Sequence, residues 1–257
     1  MIFLVSFPDL SQANGKGRES LTKTAGFDHS HAEWDAVLKK YVRHTGVDYA
    51  GIKATGTPSL ERYLKSLEAV AEGQYRAFSQ KQQLAFLINA YNAYTIRVVI
   101  EHYPIKSIRN IGPKDGSVWK KPLVSLHRIW GKSLSLNTLE NGIIRKKFSE
   151  PRIHFALNCA AKGCPSLRGD AYTAKGLERQ LASQTRNFIR QSSRYDPAKN
   201  TLFLSEIFKW YEEDFSKTKP SVAAYAAQYL TSEVQSAVSG GGIRVEYLPY
   251  DWSLNGK

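Results

Sequence analysis

The 257-residue sequence has only two cysteines and one methionine. Two cysteines cannot build the dense disulfide framework of a small secreted scaffold, nor a four-cysteine zinc site. No second cysteine pair and no H-E-x-x-H segment is present, so no metal site is expected. No stretch approaches the ~20 apolar residues of a membrane-spanning helix, and no internal period or low-complexity block appears, which excludes solenoids and arrays. Acidic residues are also few: 23 Asp and Glu against 36 Lys and Arg, a net charge of +13. That balance favours anionic surroundings: nucleic acid, acidic lipid headgroups, a cell-envelope component such as a cell-wall polymer, or an acidic substrate. The clusters Lys39-Lys40, Lys120-Lys121 and Arg145-Lys146-Lys147 are short and scattered, which reads as solvated faces rather than a nucleic-acid surface.

What is present is an ordinary globular composition, 42% hydrophobic and 12% aromatic, in a chain long enough for one sizeable core. Residues 1–26 open on the apolar MIFLVSF and continue in Gly, Ser and Thr, a flexible lead-in or signal remnant; 27–257 reads as one domain. Trp34, Val37, Leu38 and Tyr41 recur at helical spacing, and Thr57-Pro58 places a capping hydroxyl before a helix-starting proline. Ser79 with Gln82 forms a capping box ahead of a stretch apolar on nearly every face, which predicts a long buried central helix ended by Tyr103-Pro104. LVSLHRIWGKSLSL suggests a hairpin, RIHFALN a buried strand, TLFLS a short strand and IRVEYLPY a last strand after Gly240-Gly241-Gly242. Asn137, Thr173, Ser205 and Ser221 each open a helix. The fold class expected is α+β: one predominantly helical domain with a buried central helix and a small, mainly antiparallel sheet.

The chemistry concentrates in IHFALNCAAKGCPSLR, Ile153 to Arg168. Cys159 and Cys164 can close a small disulfide loop in an oxidising compartment. Alternatively one of them is a nucleophile, a thiolate held by backbone N–H groups and nearby positive charge, with Lys162 and Arg168 contributing potential. His154 is the obvious base, yet on a continuous strand it and Cys159 face opposite ways, so pairing needs a bend after Asn158; otherwise His102 or His127 supplies the imidazole. Glu140 can orient the imidazole as a third member of the set, or cap the helix that Asn137 opens. Asn89 and Asn92, one turn apart in the central helix, either tie loops to the core or line a substrate pocket, and Lys106 can bind an anionic group. A cysteine mechanism of this kind requires no cofactor.

AFLINAYNAYTIRVVIEHYPIKSI, SLNTLENGIIR, RIHFALNCAAKGCPSLRGDAYT, LSEIFKWYEEDF and YLPYDWSLN, in this order from about Phe27 to Asn255, together resemble the domain of unknown function 547 family. The family pattern His-Phe-Ala-Leu-x-Cys falls on His154 to Cys159, and a following Cys-Pro on Cys164-Pro165. The resemblance implies an exported bacterial protein, periplasmic or extracellular, while leaving a cytoplasmic home open. Plant-type members often carry Ser at the second cysteine, which makes Cys159 the more telling residue. The expectation is an exported hydrolase or acyltransferase acting on an amide or thioester of a small molecule or peptide, with Cys159 as nucleophile, His154 as base and Glu140 orienting it. The alternative is a non-catalytic binding or scaffold domain with a Cys159–Cys164 disulfide and a basic surface for anionic partners.

Overall fold

The structure, a computed structural model, describes residues 26–256; the expected lead-in lies outside the described residues except for Gly26. The first helix, Ala32–Tyr41, buries the four residues its spacing singled out, Trp34, Val37, Leu38 and Tyr41. Two-residue strands β1 (Val42–Arg43) and β2 (Gly46–Val47) pair antiparallel behind it. Thr57 does not cap a helix start. A π-helical turn, Ile52–Gly56, runs directly into the helix Thr57–Glu68, and the Thr57 hydroxyl donates back to the carbonyls of Ile52 and Lys53. A hydroxyl one turn inside a helix has a carbonyl to bond and no free N–H to cap.

The central helix spans Gln80–His102. Ser79 accepts from the Gln82 backbone while the Gln82 side chain accepts from the Ser79 N–H, so the capping box forms as expected. From Gln83 to Ile100 every residue except Arg97 is buried, and the larger hydrophobic core assembles around this rod, with Phe86, Leu87, Ile88, Tyr94 and Val99 inaccessible to solvent. Burying a helix on all sides removes from water the apolar area that holds the domain together, about 25 cal/mol per Å².

A second, smaller core forms around Phe155, Leu202, Leu204, Phe208, Phe215 and Tyr225. Its sheet has β4 (Thr201–Ser205) in the middle, antiparallel to β3 (Arg194–Asp196) and parallel to β5 (Arg244–Leu248). The β3–β4 turn is a tight reversal with Asn200 at φ 45°. The parallel pairing of β4 with β5 is possible because the helices between them return the chain to the same edge. Among the described residues two of the three strand pairs are antiparallel and helix predominates, which is the α+β class expected. Among the described residues no helix is long and apolar enough to cross a membrane.

Two strand expectations fail for a common reason. RIHFALN is not a strand: Pro151–Phe155 is a 3-10 helix, with Pro151 fixing φ at its start and the Glu150 carboxylate accepting from the Arg152 N–H. LVSLHRIWGKSLSL is reduced to one antiparallel bridge, Val124 with Leu134, and the loop between them coils into a helical turn, His127–Trp130, closed by Gly131 at φ 71°. A short apolar run buried on every side has the same pattern in a strand as in a helical turn.

Candidate functional site

The Pro151–Phe155 turn drives its side chains in different directions. Ile153 joins the larger core, Phe155 the smaller one, and His154 lies between them. The chain then runs extended to Asn158 and Cys159 and reverses at Ala160, which sits at φ 61° in the left-handed region. A side-chain-bearing residue pays for this conformation, and such residues gather where a site is being shaped. The Ala161 N–H, just past the reversal, is one of the groups that lower the Cys159 pKa. The reversal thus lies past Cys159 and not between it and His154, and the pairing that a bend after Asn158 was expected to allow does not form.

Asn92 and Asn158 hold this loop rigidly. Asn92 Nδ2 donates to the Ala156 carbonyl at 3.0 Å and its Oδ1 accepts from the Asn158 N–H at 2.8 Å. Asn158 in turn donates to the Pro165 carbonyl and accepts from the Ala160 N–H. Asn89 makes the same two-way bond to the backbone of Tyr172. Both helix asparagines thus tie loops to the core and neither lines the cavity. The C-terminal segment is laced over the loop: the N–H groups of Lys162 and Gly163 donate to the carbonyls of Ser253 and Asp251, and the Asn255 N–H donates to the Ala160 carbonyl. A Cβ at Gly163 would lie 3.0 Å from the Asp251 nitrogen and from the Tyr250 ring, so this close approach needs glycine.

The result is a cavity of about 280 Å³ into which Cys159, Cys164, His154, Glu140, Tyr211 and Tyr250 all open, with Trp119, Trp210 and Trp252 completing the wall. Both cysteines are free, their sulfurs 2.8 Å apart, Cys159 half-buried and Cys164 buried. The Tyr250 hydroxyl is 3.2 Å from Cys159 Sγ. The two thiols are pushed in opposite directions. Hydrogen bonding from Cys164 lowers the Cys159 pKa; burial opposes this, and the Tyr250 hydroxyl and Ala161 N–H assist it. Burial pushes Cys164 up, well above an ordinary thiol, and pushes Tyr250 up likewise, keeping that hydroxyl protonated. Cys159 is the more readily ionised thiol of the pair.

His154 and Cys159 share the cavity but make no hydrogen bond. His154 Nε2 donates to Asp214 Oδ2 at 2.8 Å, the same oxygen that accepts from Arg145 Nε at 2.6 Å, and His154 Nδ1 is buried without a partner. Burial lowers the His154 pKa against the pull of Asp214, so the ring is neutral. Burial would raise Asp214, but the bonds from His154 and Arg145 outweigh it and hold that carboxyl well below its usual range. Glu140 neither caps a helix nor touches His154: Ser135 caps that turn, accepting from the Thr138 N–H, and Glu140 accepts from the Tyr211 hydroxyl at 2.6 Å. Tyr211 stacks on the His154 ring with centroids 3.8 Å apart, so Glu140 reaches the imidazole only through that ring.

The other expected participants lie elsewhere. Lys106 is exposed and neither it nor His102 nor His127 lines the cavity. Arg168 is paired with Asp170 at 2.8 Å, and Lys162 is exposed, so neither lends its charge to the cavity. Among the described residues no group of three His, Cys, Asp or Glu side chains is placed to hold a metal ion. Asp214, Tyr211, Trp210, Tyr250 and Trp252 were not anticipated. Their signal was the motifs LSEIFKWYEEDF and YLPYDWSLN, but nothing in either motif says that it meets a cysteine loop about 50 to 90 residues away.

No curated protein and no solved structure matches the chain. Residues 75–189 match the family model described as protein of unknown function, DUF547. That stretch holds the central helix, Glu140, His154, Cys159 and Cys164, whereas Tyr211, Asp214, Tyr250 and Trp252 lie C-terminal to it. The part that carries the central helix and the cysteine loop, residues 75–189, is thus similar to the DUF547 family of proteins of unknown function.

Proposed function

We infer that the protein is a cysteine-dependent hydrolase or acyltransferase acting on an amide or thioester, with Cys159 as nucleophile. The observation that carries this reading is the environment of Cys159 Sγ: a half-buried sulfur on a cavity wall, with the Cys164 thiol, the Tyr250 hydroxyl and the Ala161 N–H around it. A thiol whose pKa is lowered by its hydrogen-bonding surroundings ionises more readily without an imidazole in contact. The thiolate attacks the carbonyl carbon, forming a carbon–sulfur bond. The carbon–nitrogen or carbon–sulfur bond to the leaving group breaks; a thiol departs as its thiolate, and an amine departs with a proton taken from water, leaving hydroxide. Water, that hydroxide or a second nucleophile then attacks the thioester carbonyl, the carbon–sulfur bond to Cys159 breaks, and the thiolate is regenerated. His154, clamped to Asp214 and stacked under Tyr211, braces the cavity wall instead of acting as the base.

The test is incubation with S-phenyl thioacetate followed by intact and peptide mass spectrometry. One acetyl group on Cys159 is expected, absent in Cys159→Ser and formed more slowly in Tyr250→Phe. No adduct, or an adduct spread over surface lysines, overturns the reading.

The 2.8 Å separation of the two sulfurs supports a second reading, a non-catalytic exported binding domain in which Cys159 and Cys164 close a disulfide staple and the basic surface meets an anionic envelope component. Alkylation of the native protein with and without reductant separates the two. A pair that resists reduction favours the staple, and a single fast-reacting thiol favours the nucleophile.

A further inference from the structure

In a chain of net charge +13, the wall of this cavity carries no lysine or arginine among the described residues. Its charged side chain is Glu140, 9% exposed, whose partner is the neutral Tyr211 hydroxyl. The other carboxylate nearby, Asp214, is already matched by Arg145, His154 and Lys217. A buried carboxylate with no cationic partner is costly and is normally compensated. No described residue forms an ion pair with Glu140: the nearby Arg145 guanidinium is bonded to Asp214, and the space in front of Glu140 is the cavity.

The walls of that space are aromatic. Trp210, Tyr250 and Trp252 pack on one another with centroids 4.6 to 5.8 Å apart, and Trp119 meets Trp252 edge-on at 5.7 Å. Among the described residues Trp210 is the large hydrophobic side chain left exposed, at 43%. Aromatic faces attract cations through the ring quadrupole, most strongly where water is excluded. Trp252 already holds one: the Arg109 guanidinium lies 4.8 Å from its centroid on the outer side of the cluster. An anionic floor under indole and phenol walls is the arrangement that recognises alkylammonium groups.

We propose that the cavity binds a cationic, alkylammonium-type group of the substrate or acyl acceptor, with Glu140 as its counter-ion and the Trp210, Tyr250 and Trp252 rings as its walls. The proposal deepens the reading of the same cavity given above and rests on it being the substrate site, though not on Cys159 reacting. A sugar would also stack on indole rings, but it leaves the Glu140 charge unanswered.

The test is a titration followed by tryptophan fluorescence at constant ionic strength. The probes are tetramethylammonium, its neutral isostere tert-butanol, and methanesulfonate. Wild type and Cys159→Ser are expected to bind tetramethylammonium saturably and about tenfold or more tighter than tert-butanol, with no binding of methanesulfonate. Glu140→Gln abolishes that preference, whereas Tyr211→Phe, which keeps the carboxylate and loses its hydrogen bond, retains it. Equal binding of the charged and neutral probes, or an undiminished preference in Glu140→Gln, overturns the proposal. If Glu140→Gln fails to fold, the ranking of the three probes on wild type and Tyr211→Phe decides alone. Retained cation binding beside a Cys159 that never acylates would sink the catalytic reading and leave this one standing.

Discussion

The central helix and the loop from Pro151 to Pro165 are both buried, and both contribute polar side chains to the interior, yet they are held in opposite ways. The helix satisfies its own backbone and offers apolar surface on every side, so it needs nothing specific from its neighbours. The loop has little regular structure of its own. Its backbone groups are met one at a time by Asn92, Asn158, Gln184 and the carbonyls of the C-terminal segment. A rod of this kind loses stability but keeps its course when one contact goes, whereas a loop satisfied residue by residue moves its cargo when a single partner goes. The cargo here is Cys159.

The two regions can be separated by substitution. Cys159→Ser removes all fast thiol labelling by iodoacetamide near neutral pH while leaving the urea midpoint nearly unchanged, because a half-buried sulfur carries chemistry more than packing. Phe86→Ala does the reverse: truncating an inaccessible ring in the central helix costs about 3–5 kcal/mol in urea unfolding. The labelling rate of the protein that remains folded should not change. If Phe86→Ala slows Cys159 labelling as much as it lowers stability, the two regions are not independent.

Asn92 bridges them and sharpens the contrast with Asn89. Replacing either by Ala leaves a buried N–H and a buried carbonyl unmet, at about 1–3 kcal/mol each. Only Asn92→Ala should also alter the Cys159 labelling rate, since only Asn92 holds the loop that turns at Ala160. Equal labelling in both variants would break the distinction.

A smaller effect concerns pH. Burial, with the nearby His29 adding to it, pushes His31 down to about 4, so the folded state keeps it neutral where the unfolded chain takes up a proton. Stability is complete above the ordinary histidine pKa near ~6.5 and falls as pH drops from there toward 4, by about 2 kcal/mol between pH 7 and 5. Urea midpoints at the two pH values measure it, and His31→Asn should flatten the difference. His154 is lowered by burial too and adds to the loss in the same direction, so a residual slope in His31→Asn reports the site. The smallest effect expected is on the surface: Arg76→Ala removes an exposed ion pair with Glu72 and should change stability by at most about 0.5 kcal/mol.

By itself the sequence determined the parts whose physics is local. The capping box at Ser79 and Gln82, the rod that follows, the amphipathic first helix and the TLFLS strand are set by spacing and by side chains a few residues apart. It also marked Cys159 and His154 as the residues to watch, and identified the need for a bend between them. Only the tertiary structure decided what those residues touch. RIHFALN is a helical turn because Glu150 and Pro151 start one, a local cue that its uniformly apolar run concealed. His154 pairs with Asp214 and not with Cys159, and Glu140 pairs with Tyr211 and not with His154, because the helices near Tyr211 and Asp214 pack over the cysteine loop. Tyr250 reaches the sulfur from 91 residues away along the chain. Such contacts follow from which surfaces fit together in three dimensions; spacing along the chain carries no record of them.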